Sequence, residues 1–299
     1  MLTLLHISDL HFGPPYHAGV GEVLLRFAAE LDPDVIVASG DFTQRARREQ
    51  FRAAREYLDR LPDVPLVVTP GNHDVPLYRV VRRLFRPFSL YRKYISKELN
   101  TVTTVPGLMI VALNSTAPRR AITNGRISEW QLDFAREAFD DVPPETLRMV
   151  VAHHHFSPPP DFEGAEVMPK AKRALDAFTH IRVDLILGGH LHRAYIGNSL
   201  DVYPGVDREH GIVIVQSGTS TSRRGRARER EKNSFNVLRV DERMIRVTHY
   251  VYFDDVGGFL PTSRHVFFRG GRPQLAPAQF PEEESLLLEQ QLESENVDL

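Results

Sequence analysis

The sequence predicts an α/β fold in which helices cover the outer faces of the β-sheets. Short apolar runs recur up to about residue 212, and stretches with helical periodicity separate them. Continuous apolar runs of this length are typical of strands that are covered on both faces. The regular alternation of such strands with helices indicates a layered α/β arrangement.

The strand and helix candidates follow one another regularly along the chain. We predict strands at residues 3–7, 35–38, 66–69, 109–113, 149–152, 185–187 and 212–216. We predict helices at residues 20–31, 45–61, 128–139 and 170–180. Ser128 and Gln131 have the spacing of a capping box, which marks the start of the third helix. Later in the chain, residues 235–240 and 244–253 are typical of an antiparallel pair, which could extend a second sheet.

Composition and charge limit the kind of protein this can be. The chain has 299 residues, of which 42% are hydrophobic and 25% charged, which suits one large globular domain or a domain with an appendage. A formal net charge of −2 argues against binding to nucleic acid or membrane that is driven by charge alone. The absence of cysteine excludes disulfides and thiolate metal ligands. The N-terminus lacks a signal-peptide pattern, and no apolar run approaches the roughly 20 residues of a membrane helix, so we expect a cytoplasmic protein.

We divide the chain into a domain at residues 1–253 and a C-terminal extension at residues 254–299. Residues 254–281 are rich in Gly and Pro and are expected to wrap the surface. Residues 281–299 are acidic around a leucine triplet, which predicts a short amphipathic helix and a disordered end, or a segment that docks on a partner. Residues 77–97 are dense in Arg and aromatic side chains, as in helices with a solvated basic face or in a cap that contacts an anionic substrate.

Five short polar motifs each follow an apolar run. In chain order they are Asp9-Leu10-His11, Gly40-Asp41, Gly71-Asn72-His73-Asp74, His153-His154-His155 and Gly189-His190-Leu191-His192. Carboxylates, imidazoles and an amide are the ligand types that a divalent metal site needs. Because each motif lies where a buried strand would end, the fold could bring all five to one edge of a sheet. Seven ligands are too many for one ion and suit two ions that share a carboxylate, with the metals about 3.5–4 Å apart as in phosphoester hydrolysis.

The local spacing within these motifs is consistent with metal ligation. Asp9 and His11 are two residues apart, and alternate side chains of an extended chain point the same way. Gly40 permits a tight turn, after which Asp41 could bridge two metals through its two oxygens. Each motif alone could be an ordinary turn or an exposed loop. Their combination, in a fixed order at successive strand ends, favours the metal site.

The order Asp-x-His, Gly-Asp, Gly-Asn-His-Asp, His and Gly-His-x-His resembles that of the calcineurin-like metallophosphoesterase superfamily, over roughly residues 1–220. Within it, the run Gly40-Asp41-Phe42-Thr43-Gln44 and the histidine triplet are most similar to the bacterial class III cyclic-nucleotide phosphodiesterases and related phosphodiesterases. The resemblance implies a four-layer αββα sandwich of two mixed β-sheets flanked by helices. It places the site at the carboxyl ends of the strands.

The resemblance also implies a role for each motif residue. Two divalent or trivalent ions (Mn, Fe, Zn or Co) would be held, the first by Asp9, His11 and His192, the second by Asn72, His153 and His190, with Asp41 as the bridge. Relatives with this triplet use its first histidine, although the sequence leaves His154 open. Nitrogen and oxygen ligands without sulfur fit all of these ions.

In the mechanism that the resemblance implies, a metal-bridging hydroxide attacks phosphorus in line with the leaving oxygen. His73 would stabilise charge and protonate the leaving group, and Asp74 would orient His73 or else cap a helix before Val75. The loop after residue 216 is rich in hydroxyls and arginines, so Arg223 and Arg224 either bind phosphate or lie in an exposed turn with alternating charges. Two further candidates for substrate binding follow another strand end, and these are Asn114 and Arg126.

The sequence therefore predicts a dinuclear-metal phosphodiesterase that acts on a small diester, such as 3′,5′-cyclic AMP. A phosphomonoesterase or a nuclease of the same superfamily is the nearest alternative, although a near-neutral charge argues against an enzyme that grips a long polyanion. A non-catalytic metal-containing binding module is an alternative of another class, against which the intact ligand set argues. Many relatives form homodimers, and no segment of this chain decides that point.

Overall fold

The computed structural model describes residues 1–119, 123–158, 167–203, 211–226 and 229–269. Within these ranges, twelve strands, six α-helices and two short 3-10 helices (Asn72–Asp74 and Ser199–Asp201) are present. The strands are β1 (Leu2–Ile7), β2 (Val35–Ala38), β3 (Leu66–Val68), β4 (Thr101–Val105), β5 (Leu108–Ala112), β6 (Leu147–Val151), β7 (Leu185–Gly188), β8 (Tyr195–Asn198), β9 (Val213–Gln216), β10 (Ser234–Val240), β11 (Met244–Phe253) and β12 (Gly258–Phe268). The helices are α1 (Ala18–Leu31), α2 (Arg48–Leu58), α3 (Val80–Phe85), α4 (Ser89–Tyr94), α5 (Glu129–Phe139) and α6 (Ala171–His180).

The strands form two mixed sheets of six strands each. The first sheet has the order β12-β11-β10-β1-β2-β3, in which β1, β2 and β3 are parallel and the other pairs are antiparallel. The second has the order β4-β5-β6-β7-β9-β8, in which the four central strands are parallel and both edge strands are antiparallel.

The sequence of β1 illustrates how the layers are built. Leu4 and Leu5 are both buried, and they point to opposite faces because side chains alternate along a strand. Leu4 packs between the two sheets in a core that includes Val35, whereas Leu5 belongs to the core under α1 and α2 with Leu24 and Phe51. A third core lies under α5 and α6 on the outer face of the second sheet. The predicted four-layer αββα sandwich is therefore confirmed.

The late strands join the first sheet and correct two expectations. The predicted pair is present as β10 and β11, but β10 lies antiparallel beside β1, with Leu238 opposite Leu4, so it extends the sheet of β1 rather than a separate one. Residues expected to wrap the surface instead form β12, which pairs along β11 at the edge of that sheet. Pro261 is tolerated there because an edge strand does not need every backbone N–H. The rest of the predicted extension, including the acidic tail, lies outside the described residues.

Several boundaries also differ from the prediction, for local reasons. The helix expected from residue 45 begins at Arg48, because the side chain of Gln50 accepts the N–H of Arg45 (2.8 Å) and holds the preceding residues in a turn. Strands β4 and β8 were not predicted, and both are half-exposed rather than continuously apolar. The basic aromatic segment forms α3 and α4, in which Tyr91 is buried and Phe85 is exposed.

Across the described residues, none of the helices combines the length and the apolar character that crossing a bilayer requires.

Candidate metal centre

The loops that follow the parallel strands of both sheets carry the predicted ligands. These loops meet at one edge of the sandwich, as expected for the carboxyl ends of strands in an α/β fold. The ligand candidates are Asp9 and His11 after β1, Asp41 after β2, Asn72 after β3, His153 after β6, and His190 and His192 after β7.

Four of these side chains form a first group around a common centre. Asp9, His11, Asp41 and His192 are buried, and each offers a ligand atom within 4.8 Å of the others. The Nε2 atoms of His11 and His192 lie 3.1 Å apart. Oδ1 of Asp9 lies 3.1 Å from Nε2 of His192 and 3.4 Å from Nε2 of His11. Two ligands at right angles, each about 2.1 Å from one ion, would be about 3.0 Å apart, so this spacing fits coordination of a single cation.

A second group lies beside the first and contains the amide of Asn72. Its Oδ1 atom is 3.0 Å from Nδ1 of His190 and 3.3 Å from Nε2 of His153. The structure brings His153 rather than His154 to this group, because Nδ1 of His154 instead pairs with the hydroxyl of Ser115 at 2.8 Å. The residue types and contacts of this group suit a second cation.

The carboxylate of Asp41 connects the two groups through a single oxygen. Its Oδ2 atom is 3.7 Å from Nε2 of His11 and 3.4 Å from Nε2 of His153. Its Oδ1 atom accepts the backbone N–H of His73 at 2.7 Å. Oδ2 is thus the oxygen that faces both ligand groups, while the bridging of two metals through both oxygens of Asp41 stays a prediction.

Two carboxylate oxygens at the centre are buried without a hydrogen bond from any described residue. They are Oδ1 of Asp9 and Oδ2 of Asp41, and both face imidazole nitrogens. The other oxygen of Asp9 accepts the hydroxyl of Ser8 (2.7 Å) and the N–H of His190 (3.0 Å). Buried carboxylate oxygens without donors are costly unless a cation balances them. This arrangement fits metal ions at both groups.

Backbone carbonyls orient two of the imidazoles. Nδ1 of His153 donates to the carbonyl of Ser39 (2.8 Å), and Nδ1 of His192 donates to that of Arg224 (3.1 Å). A carbonyl only accepts, so in the neutral rings the lone pair lies on Nε2, which faces the ligand groups. Such outer contacts commonly fix the orientation of metal-binding histidines.

The electrostatics of the site follow from burial and from the two carboxylates. Burial lowers the pKa of His11 to about 4 and holds that of His190 well below its usual range, which leaves both rings in the neutral form that binds metal. Burial would also lower the pKa of His153, but Asp41 outweighs it and raises that pKa to about 9. Burial would raise the pKa of Asp9, yet the neighbouring histidines hold it well below its usual range. A cation would therefore compete with protons at this centre.

Five ligand candidates adopt a left-handed backbone conformation that residues other than glycine rarely adopt. Such conformations cost about 1–3 kcal/mol each and persist only where the surroundings enforce them. Gly40, also at positive φ (106°), precedes Asp41, and a Cβ there would lie 2.7 Å from Nδ1 of His153, so only glycine fits. The five φ values are 53° for Asp9, 51° for His11, 54° for Asp41, 75° for His190 and 55° for His192.

His73 lies beside the ligands without belonging to either group. Its ring packs edge-on against His11, with the ring centroids 4.8 Å apart. Its Nδ1 atom donates to the backbone carbonyl of Gln44 at 2.9 Å, so Nε2 is the atom left for a substrate. Burial lowers the pKa of His73 from its ordinary value.

The expected contact between Asp74 and the His73 ring does not form, and the carbonyl of Gln44 orients that ring instead. Asp74 is buried and accepts hydrogen bonds from the backbone, at one oxygen from Thr43 (2.9 Å) and at the other from Phe42 (3.2 Å) and Gly71 (3.0 Å). Burial raises the pKa of Asp74 to about 7. Asp74 therefore ties the loop after β2 to the turn after β3.

Of the predicted substrate-binding residues, the structure brings Arg224 to the site. Its Nη1 atom donates to Oε1 of Gln44 at 2.8 Å, and the guanidinium is close enough to Asp41 for that carboxylate to oppose the pKa-lowering effect of burial. Arg223 is exposed, and its backbone N–H donates to the carbonyl of Pro15 at 2.9 Å. Asn114 lies outside both groups, where its Oδ1 atom accepts the N–H of Thr116 at 3.0 Å.

Two residues at the site had no role in the sequence prediction. Gln44 contacts both His73 and Arg224, and its only sequence signal was its place in the run that starts at Gly40. Glu229 belongs to the run of alternating charges that one interpretation placed in an exposed turn, yet it is buried, and its carboxylate accepts the N–H of Ala194, two residues after His192. No local pattern distinguishes this glutamate from its exposed neighbours.

Comparison with known protein families gives one match, and it covers most of the segments that form the candidate metal centre. Residues 2–194 match the model of the calcineurin-like phosphoesterase family. This segment contains all seven ligand candidates and His73.

Curated relatives and solved structures are similar to the chain at low identity. A probable cyclic nucleotide phosphodiesterase from Synechococcus sp. is 28% identical over 221 residues, which cover 68% of this chain and 79% of that protein. A probable glycerophosphodiester phosphodiesterase (GpdQ) from Arcobacter nitrofigilis is 24% identical, covering 61% of this chain and 66% of that protein. A dimetal phosphatase from Danio rerio shares the fold with a TM-score of 0.61 at 12% identity, covering 89% of this chain and 98% of that one.

Proposed function

The chain belongs to the calcineurin-like phosphoesterase family, and from that premise we propose that it is a dinuclear-metal phosphodiesterase for a small diester, such as a cyclic nucleotide. The family gives the reaction class, which is metal-dependent hydrolysis of phosphoric esters. One observation carries the dinuclear assignment: the inward oxygen of Asp41 lies 3.7 Å from His11 and 3.4 Å from His153, which belong to different ligand groups.

The donor set supports two cations with distinct ligands. Nitrogen and oxygen donors without sulfur suit Mn, Fe, Zn or Co. When bound, two such ions supply Lewis acidity toward phosphoryl oxygens and activate a water molecule. In this proposal Asp9, His11 and His192 would hold the first ion, Asn72, His153 and His190 would hold the second, and Asp41 would contact both.

The remaining residues act on the phosphate and on the leaving group. Arg224 binds a non-bridging oxygen, because its planar guanidinium donates two parallel hydrogen bonds. In its protonated form, His73 donates Nδ1–H to the carbonyl of Gln44 and transfers the proton on Nε2 to the leaving oxygen, which leaves the ring neutral. Gln44 positions both, since its carbonyl accepts Nδ1–H of His73 and its side chain accepts from Arg224.

The two curated relatives named above support a diester rather than a monoester substrate. The relatives from Synechococcus sp. and Arcobacter nitrofigilis carry the names of a cyclic nucleotide phosphodiesterase and a glycerophosphodiester phosphodiesterase. Both names describe hydrolysis of one ester bond of a small phosphodiester. We therefore place 3′,5′-cyclic AMP and glycerophosphodiesters first among the substrates to be tested.

The test compares hydrolysis of bis(p-nitrophenyl) phosphate and p-nitrophenyl phosphate by the Mn²⁺-reconstituted protein. We expect a preference for the diester and two bound ions per chain. Asp41→Asn should bind fewer ions and lose more than about 100-fold in rate, since even outer contacts of metal ligands are worth about 10–100-fold. Asp141→Asn, at an exposed position, is the matched control.

The alternatives appear as distinct outcomes of the same test. A preference for the monoester would identify a phosphatase. Two bound ions without turnover of either substrate, or of cyclic nucleotides and glycerophosphodiesters, would support a binding module and contradict the proposal.

A further inference from the structure

A groove of about 610 Å³ lies between the connection of α3 to α4 and the loop that follows β5. Pockets that bind small molecules commonly have volumes of about 300–1,000 Å³. The described part of its lining combines aromatic rings, guanidinium groups and hydroxyls, and none of the steps proposed above uses it. The lining residues that matter here are Phe88, Thr116, Arg119, Arg126, Ser128 and Trp130.

The groove presents aromatic surface to solvent. Trp130 stands in the first turn of α5 and is 57% exposed, which is unusual for the largest apolar side chain. Phe88, between α3 and α4, lines the same groove. Aromatic side chains that line a groove offer faces on which planar rings stack, and this stacking tolerates any nucleobase.

The groove is also electropositive. Arg119 and Arg126 line it, and no Asp or Glu belongs to the described part of the lining. Nε of Arg126 is buried and has no hydrogen-bond partner among the described residues. Arg126 as a whole is half-buried and lines the groove, so its guanidinium suits a ligand that supplies an anionic oxygen.

A short chain of contacts connects this groove to the second ligand group. The backbone N–H of Arg126 donates to the carbonyl of Ser115 at 2.7 Å, and the hydroxyl of Ser115 pairs with Nδ1 of His154 at 2.8 Å. The ring of His154 lies 4.7 Å from that of His190 and 5.1 Å from that of His153, between centroids. Ser115 and His154 therefore link the wall of the groove to the second ligand group.

The opposite wall comes from residues 77–97, for which a cap over the substrate was one of two interpretations. Phe88 belongs to this segment, and Nε of Arg119 donates to the carbonyl of Leu84 in α3 at 3.1 Å, which holds the two walls together. A molecule in the groove would thus touch both the α3–α4 region and the loop after β5.

We infer that the groove binds the planar aromatic part of an anionic substrate, as in a nucleotide, with the base on Trp130 and Phe88 and an anionic oxygen on Arg126. The inference rests on the proposed function, in which the scissile phosphate lies at the two ligand groups. It names the substrate class as nucleotide diesters, in preference to diesters of small alcohols such as glycerol, which have no ring to stack.

Trp130 is the only tryptophan of the chain, so its fluorescence reports directly on the groove. The full-length Mn²⁺-loaded protein is titrated with AMP, and separately with ribose 5-phosphate and inorganic phosphate. We expect saturable quenching by AMP and little change with the two probes that lack a base. Arg126→Ala should raise the dissociation constant for AMP at least 10-fold, whereas Arg243→Ala, at an exposed position near the β10–β11 turn, should not change it.

The outcomes separate this inference from the proposed function. Absence of quenching by AMP in a protein that hydrolyses bis(p-nitrophenyl) phosphate would overturn the inference alone. Equal quenching by AMP and ribose 5-phosphate would also overturn it, because the base would then play no part. Quenching by AMP that depends on Arg126, in a protein without diesterase activity, would support the groove and contradict the proposed function.

Discussion

At the scale of single residues, the carboxylates of Asp9 and Asp41 each have one oxygen bonded to a backbone N–H and one oxygen that faces the ligand groups. Oδ2 of Asp9 and Oδ1 of Asp41 accept backbone N–H groups, from His190 and His73 respectively. Their second oxygens face the ligand groups and receive no hydrogen bond from the described residues. Each carboxylate is therefore held by another loop before any cation binds, which reduces the reorganisation that binding requires.

Replacing His73 by alanine should lower the rate without loss of metal. The contact of His73 with Asp41 runs through the backbone N–H, which alanine retains. General acid catalysis typically contributes about 10²–10⁴-fold, so kcat should fall by this factor, and most for alkyl leaving groups that need a proton. The measurement is kcat on alkyl and p-nitrophenyl diesters together with metal content.

His180→Ala is the control for this variant, because His180 is exposed at the end of α6. If His73→Ala kept both ions and turned over alkyl diesters at the full rate, its ring would not be the proton donor.

At the scale of elements, the loop after β7 depends on the segment before β10. Oε1 of Glu229 accepts the N–H of Ala194 at 2.5 Å, and its other oxygen accepts the hydroxyl of Ser234 at the start of β10. The N–H of Arg226 donates to the carbonyl of His192 at 2.9 Å. These bonds cross between the two sheets and fix the position of His192, a ligand candidate whose backbone is in an unfavourable conformation (φ 55°).

Glu229→Ala should therefore weaken metal binding although Glu229 is not a ligand. Loss of an outer contact of a metal ligand typically costs about 10–100-fold in metal affinity or activity. Glu229→Gln keeps an oxygen that can accept the N–H of Ala194, so it should restore most of the affinity. The measurement is a Mn²⁺ titration of both variants, with the exposed Glu242→Ala as control. Unchanged Mn²⁺ affinity in Glu229→Ala would contradict this positioning role.

At the scale of the whole molecule, the candidate metal centre draws its side chains from both sheets. The ligand candidates that follow strands of the first sheet are Asp9, His11, Asp41 and Asn72. Those that follow strands of the second sheet are His153, His190 and His192. A cation that binds side chains from both sets links the layers that the apolar core between the sheets already holds together. Since the unfolded chain lacks this arrangement, metal binding should stabilise the folded state.

Removal of the metals should accordingly lower the melting temperature. A ligand at 100 times its dissociation constant stabilises the folded state by about 2.7 kcal/mol, and about 1 kcal/mol shifts Tm by roughly 2–4 °C in a large domain. Chelation should thus lower Tm by about 5–10 °C, and Mn²⁺ should restore it. Calorimetry measures this shift, and Asp41→Asn should respond less. An unchanged Tm, with two ions bound in the untreated protein, would show that the centre does not stabilise the sheets.

Features that depend on neighbours along the chain were predictable from the sequence. Buried strands such as β2 and β7 appear as continuous apolar runs, and the ligand residues appear as motifs directly after them. The spacing of Ser128 and Gln131 marked the start of α5, where the side chain of Gln131 accepts the N–H of Ser128 at 3.0 Å. Such signals are local because helix and strand periodicity, and the turn chemistry at their ends, involve only a few adjacent residues.

Features that depend on distant segments were decided by the tertiary structure alone. The sequence by itself determined the layered α/β class, the ligand types and their order along the chain. Packing decided that β10 lies beside β1, that Asp74 bonds the loop after β2 rather than His73, and that Glu229 is buried against Ala194. It also decided which oxygen of Asp41 faces both ligand groups. These contacts join segments that are far apart in the chain, so their formation depends on how the two sheets pack, which no local pattern encodes.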